Sequence, residues 1–350
     1  MSITEVAKAA GVSTATVSRV LNELPGVRDD TIQRVRTAVA ALNYHPRRSR
    51  RGRPGEPGFV KRETGNIAVL ALGETRDWLQ LPVMASVVAG IQRAAGDFGY
   101  RLILDEVPNP DRPISLLQGR QCDGAIVFLT GKLPVSSYAP ILSELRGRTP
   151  TVWVMGMEMT VGGVDHVTPD NIGTGYIACS YLHDKKCERL AYLTENPEWA
   201  FLRLRGQAFL NAAFDSGNPA TSYIVTTNPL IAESFGKHVV SAPTLDELVS
   251  IIAKSKVRPD GIFAANDATT SRLYPLLLKN KIRPGRDVTI VSCDNEEIRL
   301  SAMVPRPASI DIGVEEIGFR AVVRLRARME RPTGLPLVIQ VAPRLVLPAA

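Results

Sequence analysis

Apolar positions near the amino end of the chain recur with the period of an α-helix. Residues 3–10, 14–21 and 31–42 each carry apolar side chains three or four positions apart, with polar residues between them. Gly11 separates the first two segments, and Ser13 stands where a helix N-cap is expected. The pattern predicts two short helices around a tight turn, braced by a third, which is an all-α helix-turn-helix head.

From residue 66 onward, short apolar runs alternate with amphipathic segments of helical period. The runs predict buried strands at 66–72, 100–104, 124–128, 150–155, 189–194, 222–226, 261–266 and 287–294. The segments between them predict helices near 82–98, 138–147, 171–184, 203–216, 244–254 and 268–280. Strands that alternate with helices favour parallel sheets covered on both faces, so the body is predicted to be a two-lobed, doubly wound α/β structure.

Positive charge is concentrated at one end of the chain. Residues 1–62 hold 12 Lys and Arg against 5 Asp and Glu, whereas residues 63–350 hold 30 of each sign. Within the basic part, the segment YHPRRSRRGRPG at 44–55 places five arginines among seven residues. A short basic head on a neutral body indicates a polyanion-binding unit joined to a separate regulatory or catalytic module.

The composition excludes several classes of protein. At 350 residues and 45% hydrophobic content, the chain is long enough for two or more folded units. Its cysteines, Cys122, Cys179, Cys187 and Cys293, show no Cys-x-x-C spacing, which predicts reduced thiols and no structural zinc. No apolar run approaches the length of a membrane span, and no signal-peptide pattern begins the chain. We therefore expect a cytoplasmic protein without a membrane partner.

Catalytic motifs are missing from the sequence. It contains no G-x-S-x-G, no phosphate loop and no histidines at metal-ligand spacing, and only four histidines in total. We predict that the chain is not an enzyme and that it binds no metal or other cofactor.

The second helix of the head presents a polar face suited to duplex DNA. Thr14, Ala15, Thr16, Ser18 and Arg19 point away from its apolar side. Short side chains allow the helix to approach base edges, and the arginine fork matches O6 and N7 of guanine in the major groove. The alternative is a small helical bundle with a merely polar surface, which the charge distribution does not favour.

The head resembles the LacI/GalR family of bacterial transcription regulators. The residues that carry the resemblance are ITEVAKAAGVSTATVSRVLN at 3–22 and ALNYHP at 41–46. The resemblance implies that Thr14 and Ala15 set specificity in the major groove and that Arg19 contacts a further base. It implies phosphate contacts or a supporting role for Ser13, Asn22 and Tyr44.

The segment after the head departs from that family. Members fold a hinge helix here, with an apolar wedge for the minor groove, but this chain has Arg47, Ser49, Arg50 and Arg53 in its place. Pro54 follows at once and disfavours a helix. A leucine wedge is therefore not expected.

An AT-hook is the predicted replacement for the hinge helix. Its core is Arg51-Gly52-Arg53-Pro54, in which glycine lets the backbone approach the groove floor while the arginines extend along the narrow, negative minor groove of A·T pairs. The residues predicted to contact the minor groove are Arg47, Arg48, Arg50, Arg51, Gly52 and Arg53. The alternative is a disordered basic linker that touches only phosphates.

The body also resembles this family, whose body is similar to periplasmic sugar-binding proteins. The matching segments are CDGAIVF at 122–128, RLRGQAF at 203–209, FAAND at 263–267, VSCDN at 291–295 and PRPASI at 305–310. The resemblance implies a periplasmic-binding-protein-like body with an effector between its lobes, and chain crossings near 156–166, 295 and 320. The predicted domains are a head at 1–46, a linker at 47–65 and a body at 66–350, with lobe 1 at about 66–158 and 296–322 and lobe 2 at about 159–295 and 323–350.

Effector contacts are expected outside the carboxyl ends of the strands. The candidates after the strands of the first lobe are Glu74, Thr75, Trp78 and Met155, with Trp78 offering a ring face to the ligand. In the second lobe, Asn266, Asp267 and Asp294 follow two of the strands, and the resemblance implies ligand contacts by Arg205, Asn266 and Asp294. An arginine, an amide and a carboxylate suit a hydroxyl-rich, sugar-like ligand. The alternative for Asn266 and Asp294 is that they cap helices or hold the lobe crossing.

Together these features predict a transcription regulator, a repressor in our interpretation. A single head on a half-site binds weakly, so we expect a homodimer on a pseudo-palindromic operator in double-stranded DNA, modulated by a small-molecule effector. Met155 stands where many family members have Asp or Asn, so the ligand is expected to be an unusual sugar, a different small molecule or none. The alternative function is an architectural DNA-binding protein without effector control.

Overall fold

The structure is a computed structural model in which the chain separates into two units, residues 1–53 and residues 54–350. It describes residues 3–21, 27–42, 64–73, 78–107, 121–129, 139, 143, 145, 149–155 and 164–348.

Three helices make up the described part of the first unit. They are α1 (Ile3–Ala10), α2 (Thr14–Leu21) and α3 (Asp29–Ala41). Gly11 has a φ of +63°, and the N–H of Val12 donates to the carbonyl of Ala7 at 3.0 Å, so the chain reverses between α1 and α2. The apolar faces meet in a small core formed by Val6, Ala7, Ala10, Val17, Val20, Val35 and Ala38. The predicted helix-turn-helix is confirmed.

The second unit alternates helices and strands, as predicted. Its described helices are α4 (Pro82–Asp97), α5 (Asn171–Asp184), α6 (Ala200–Asp215), α7 (Pro229–Glu233), α8 (Leu245–Lys254), α9 (Asp267–Lys279), α10 (Glu297–Leu300) and α11 (Val314–Glu330). Of the predicted helix near 138–147, only residues 139, 143 and 145 are described, and they are helical. No described helix has the length and apolar character needed to cross a lipid bilayer.

The first sheet has six parallel strands. In chain order they are β1 (Asn66–Leu72), β2 (Arg101–Val107), β3 (Gly124–Leu129), β4 (Thr151–Val154), β5 (Asp165–Pro169) and β12 (Val338–Val341). Across the sheet they lie in the order β12-β5-β4-β3-β1-β2. Because β1 lies between β3 and β2, six of its seven residues are fully buried, as its unbroken apolar run predicts.

The second sheet has seven strands, of which only β13 runs antiparallel to its neighbour. Its strands are β6 (Leu190–Thr194), β7 (Thr221–Val225), β8 (Val239–Ala242), β9 (Gly261–Ala264), β10 (Thr289–Cys293), β11 (Ala308–Asp311) and β13 (Arg344–Val346). They lie in the order β13-β11-β10-β9-β6-β7-β8. Helices pack on both faces of this sheet, so the doubly wound two-lobed α/β body is confirmed.

The chain crosses between the sheets at positions that differ from those expected at 156–166, 295 and 320. β5 pairs with β4 of the first sheet, β11 pairs with β10 of the second, and β12 returns to the first. The crossings therefore follow β5, β11 and β12. The predicted lobe boundaries are wrong at these points: β5, α11 and β12 belong with the first sheet, and β11 belongs with the second.

The first crossing was misplaced because β5 has a polar sequence, DHVTP, although all five of its residues are buried. The carboxylate of Asp165 is fully buried between the guanidinium groups of Arg324 and Arg328 on α11, at 2.9 Å and 2.6 Å. Hydropathy alone does not reveal a strand whose buried charge is paired by a helix much later in the chain.

Candidate functional site

Helix α2 has one buried and one exposed face. Val17 and Val20 lie in the core of the head, whereas Thr14, Ala15 and Arg19 are exposed. The apolar face therefore holds the helix against the rest of the head and leaves short side chains and an arginine turned to solvent.

The start of α2 is capped by Ser13. Its hydroxyl oxygen accepts a hydrogen bond from the N–H of Thr16 at 3.1 Å, and the two hydroxyl groups lie 2.9 Å apart. The cap satisfies one of the N–H groups left open at a helix start. The backbone of Ser18 belongs to α2, and its side chain lies outside the described part of the chain.

Several predicted site residues lie outside the described residues. They are Asn22, Tyr44, Arg47, Arg48, Arg50, Arg51, Gly52, Arg53, Glu74 and Thr75. The AT-hook and the phosphate contacts of Asn22 and Tyr44 therefore stay predictions.

Arg205 is the centre of a buried polar network at the carboxyl edge of the second sheet. Its side chain is 1% exposed, and α6 brings it below the ends of β9 and β10. Its Nε donates to Oδ1 of Asn171 at 2.8 Å, and its Nη1 donates to the carbonyl of Ala265 at 3.0 Å and to Oδ1 of Asp294 at 3.1 Å. No hydrogen bond from Nη2 is present among the described residues. A buried guanidinium with an unused donor is suited to hold a ligand oxygen.

The turn after β10 holds the carboxylate partner of Arg205. Asp294 and Asn295 have φ angles of +100° and +53°, a region that residues with a side chain rarely adopt. The N–H of Asp294 donates to the carbonyl of Ile310 at 2.9 Å, and that of Asn295 donates to the hydroxyl of Ser309 at 3.1 Å. Backbone strain of this kind is typical of functional sites.

Asn266 caps α9. Its Oδ1 accepts a hydrogen bond from the N–H of Thr269 at 2.8 Å, as the capping alternative predicts. Its side-chain nitrogen has no partner in the part of the chain that the structure describes, so the cap leaves an N–H₂ group for a ligand.

Asp267 lies fully buried beside Asn266. Its carboxylate accepts hydrogen bonds from the N–H of Glu296 at 2.6 Å and from the hydroxyl of Ser309 at 2.9 Å. Burial, together with the negative charge of Asp294, raises the pKa of Asp267 to about 7. The carboxyl therefore titrates close to neutral pH.

The structure differs from the prediction at Trp78. The side chain is 2% exposed and packs in the core of the first lobe, with its ring 5.1 Å from that of Phe128. Its face is therefore not open to a ligand, because the side chain completes the core instead. Its indole N–H is buried and has no acceptor among the described residues.

Met155 lies where the two lobes meet. It follows β4, has a φ of +63° and packs against the apolar cores of both lobes. Glu296 of the second lobe provides a second connection, because its carboxylate lies near the backbone N–H of Val83, at the start of α4 in the first lobe.

Sequence reasoning missed two residues of this network, Asn171 and Glu296. Asn171 begins α5 directly after the unrecognised strand β5, so the signal was lost with that strand. Glu296 follows Asp294 by two residues and lies just beyond the predicted contacts. Their burial and partners depend on the fold and carry no local pattern.

The fold and these sites define a class of protein, in which a helix-turn-helix head is joined to a two-lobed body. Residues 2–47 match the bacterial regulatory proteins of the lacI family, and residues 179–347 match the periplasmic binding protein-like domain. The chain therefore carries the helix-turn-helix domain of the bacterial lacI family together with a periplasmic binding protein-like domain. This confirms the resemblance found in the sequence and the prediction that the chain is not an enzyme.

Similar proteins extend this likeness over nearly the whole chain. The ribose operon repressor of Escherichia coli is 26% identical over 351 residues, which span 98% of this chain and 97% of that protein. The transcriptional regulator CelR in complex with cellobiose has a TM-score of 0.66 at 21% identity and covers 99% of this chain and 98% of its own. The Lac repressor dimer bound to operator and the anti-inducer ONPF has a TM-score of 0.64 at 18% identity, with the same coverage of 99% and 98%.

Proposed function

We propose that this chain is a dimeric repressor that reads a pseudo-palindromic operator and responds to a hydroxyl-rich small molecule. The observation that carries the proposal is the exposed face of α2, where Thr14, Ala15 and Arg19 stand on a helix held firmly by its buried side. Such a face fits the major groove, in which a methyl group contacts thymine and a guanidinium pairs with guanine. The similar Lac repressor structure is a dimer on its operator.

Within this proposal, the arginine segment reads the minor groove between the two half-sites. The support comes from the sequence: Arg51 and Arg53 flank Gly52, and Pro54 disfavours a helix through Arg53. The minor groove over A·T pairs is narrow and negative, so it attracts both guanidinium groups.

Selection of bound duplexes from a random DNA pool tests the DNA-binding proposal. We expect two inverted half-sites with an A·T-rich centre. Substituting Arg53→Ala should weaken binding to A·T-centred operators by about 1–3 kcal/mol and spare G·C-centred ones, because only the former hold the arginine. An equal loss on both kinds of operator would show that Arg53 contacts only phosphate. The slope of log K against log salt concentration would then also fall in magnitude by about one unit.

The effector is proposed to bind at Arg205, Asn266 and Asp294. Nη2 of Arg205 and the side-chain nitrogen of Asn266 have no acceptor among the described residues, and the carboxylate of Asp294 faces the same network. Ligand hydroxyl groups both donate and accept hydrogen bonds, so a polyol satisfies this set. The similar CelR structure is a complex with cellobiose, which supports a carbohydrate.

Thermal unfolding with a panel of monosaccharides and oligosaccharides tests the effector proposal. A ligand at about 100 times its Kd stabilises the folded protein by roughly 2.7 kcal/mol, which raises the Tm. Arg205→Lys should abolish that rise, because lysine cannot bond Asn171 and the ligand together. Arg203→Lys is the matched control, since its guanidinium bonds only the carbonyl groups of Pro197 and Glu198. A Tm unchanged by every sugar would favour the architectural DNA-binding function.

Effector and operator are proposed to be only weakly coupled. The family's hinge helix is replaced by a segment rich in Arg, Pro and Gly, so lobe movements have no rigid element through which to act. Operator affinity measured with and without saturating ligand should change by less than about 1 kcal/mol, the lower end of ordinary allosteric coupling. A change of several orders of magnitude would contradict this proposal.

A further inference from the structure

An exposed tryptophan lies beside the proposed effector site. Trp199 follows β6 at the carboxyl edge of the second sheet and directly precedes α6, the helix that carries Arg205. Its side chain is 39% exposed, whereas those of Trp78 and Trp153 are each 2% exposed. The indole of Trp199 is therefore an apolar surface that a ligand at this edge of the sheet can reach.

The indole belongs to a stack of side chains that leads to Arg205. Its ring lies 5.6 Å from that of Phe201, with 30° between the two ring planes. Phe201 in turn lies under the guanidinium of Arg205, whose Cζ is 5.4 Å from the centre of the phenyl ring. Phe201 also packs against the apolar core of the second lobe. The stack therefore connects the exposed indole to the buried charge of the proposed effector site.

The backbone around Trp199 is held in place. Its N–H donates to the carbonyl of Asn196 at 3.1 Å, and its carbonyl accepts the N–H of Leu202 at 3.0 Å and that of Arg203 at 3.1 Å. With the backbone bonded on both sides and Phe201 packed against the ring, the indole is positioned before any ligand arrives. A surface that is already ordered loses little conformational entropy on binding.

A ring sugar presents the two kinds of surface that this arrangement can bind. Its hydroxyl groups lie around the edge of the ring, where they suit Arg205, Asn266 and Asp294. Its C–H groups form an apolar face, which an aromatic side chain covers and removes from water. An open-chain polyol has the hydroxyl groups without a fixed apolar face. The exposed indole therefore favours a cyclic ligand.

We propose that Trp199 stacks against a ring of the effector and thereby selects a cyclic sugar or glycoside over an open-chain polyol. The inference rests on the effector site proposed above, and it names the class of ligand which that site takes. A ring face was expected from Trp78, whose side chain instead lies in the core of the first lobe. Trp199 supplies that face from the second lobe.

Thermal unfolding of the full-length chain compares ring sugars with open-chain polyols. The ring sugars are cellobiose, D-glucose, D-xylose and D-ribose, and the polyols are D-glucitol, xylitol and ribitol. We expect a ring sugar to raise the Tm and the polyols to leave it unchanged. If neither group raises the Tm, the effector proposal fails and this inference fails with it. If a polyol raises the Tm as much as the best ring sugar, only this inference is overturned.

Substitution of Trp199 provides the second measurement. Trp199→Leu keeps an apolar side chain but removes the flat surface, so the Kd of the best ring sugar should rise about tenfold, whereas Trp199→Phe should stay within about threefold of the wild type. Phe214→Leu is the matched control, because this aromatic side chain is 72% exposed at the far end of α6. Its Kd should match that of the wild type. An unchanged Kd in Trp199→Leu, or an equal rise in Phe214→Leu, would overturn the proposal.

Tryptophan fluorescence locates the contact. An indole that moves from water into a bound ligand's apolar face emits at shorter wavelength, so the best ring sugar should shift the emission of the wild type. Trp199→Phe should show no shift, because Trp78 and Trp153 are already buried. A shift of the same size in Trp199→Phe would place the ligand away from Trp199 and contradict the proposal.

Discussion

Among single residues, Asp267 combines complete burial with a neighbouring negative charge. Asp294 approaches it from the end of β10, while Ser309 and the backbone N–H of Glu296 donate to its oxygens. Arg306 contributes a more distant positive charge. The outcome is a carboxyl whose pKa of about 7 exceeds its ordinary value of 3.8.

This pKa predicts that the body loses stability as the pH rises towards neutrality. Between about pH 4 and pH 7, the folded state binds more protons than the unfolded state, so the free energy of unfolding falls with rising pH. The contribution is fully present below the unfolded pKa and is lost as the pH rises through about 7. Asp267→Asn should remove up to about 1.4 kcal/mol per pH unit of this decline. Urea unfolding across this pH range measures the slope.

Asp287→Asn is the control for that slope. Arg283 holds the pKa of Asp287 below its ordinary value of 3.8, so this carboxyl is ionised in both states above about pH 5. Its substitution should leave the slope unchanged. If the free energy of unfolding changes equally with pH in the wild type and in Asp267→Asn, then Asp267 is already ionised in the folded protein over this pH range.

At the scale of elements, the first lobe depends on two helices that touch through glycines. A Cβ atom on Gly90 of α4 would lie 2.0 Å from the carbonyl oxygen of Glu315, and one on Gly318 of α11 would lie 2.0 Å from that of Val87. Both contacts are with backbone, which cannot move aside as a side chain can. The glycines therefore set the distance between α4 and α11.

Alanine at either glycine should separate these helices. Gly90→Ala and Gly318→Ala are each expected to lower the free energy of unfolding by about 1–3 kcal/mol, the usual cost of forcing a methyl group into a packed contact. Gly96→Ala, on the exposed side of α4 with nothing within 4 Å, should instead stabilise the protein by roughly 0.4–1 kcal/mol. Urea unfolding measures the free energy of unfolding of the three variants. Similar free energies for Gly90→Ala and Gly96→Ala would contradict the close contact between α4 and α11.

At the scale of the whole body, Glu296 connects the second lobe to the amino end of α4 in the first. The carboxylate lies near the N–H of Val83 and also pairs with Arg299, and it is largely buried. A helix N-terminus attracts negative charge, so this contact stabilises the arrangement in which the lobes meet.

Removing this carboxylate should loosen the lobes. Glu296→Ala is expected to increase hydrogen exchange at the amide of Val83 by about two- to fivefold, because a negative charge at a helix N-terminus stabilises it by roughly 0.3–1 kcal/mol. Glu297→Ala removes an adjacent carboxylate that only pairs with Arg306 at the surface and should leave that amide unchanged. Equal exchange in both variants would show that Val83 is protected by the helix itself.

The sequence by itself determined the elements with a clear period and the residues that a local motif marks. The helix-turn-helix and the alternating strands and helices of the body were predicted, because each depends on spacing that neighbouring residues display. Arg205 was named from the family resemblance, and its role in binding an effector stays a prediction. α5 was predicted with the bounds Asn171–Asp184 that the structure has.

Only the tertiary structure decided where the chain passes between lobes and what surrounds each site. The polar strand β5 is buried because Arg324 and Arg328, far along the chain, neutralise Asp165. Trp78 fills a core, and the raised pKa of Asp267 arises from partners on β10 and β11. Burial and pairing of charges are set by contacts between distant segments, and no pattern along the chain records them.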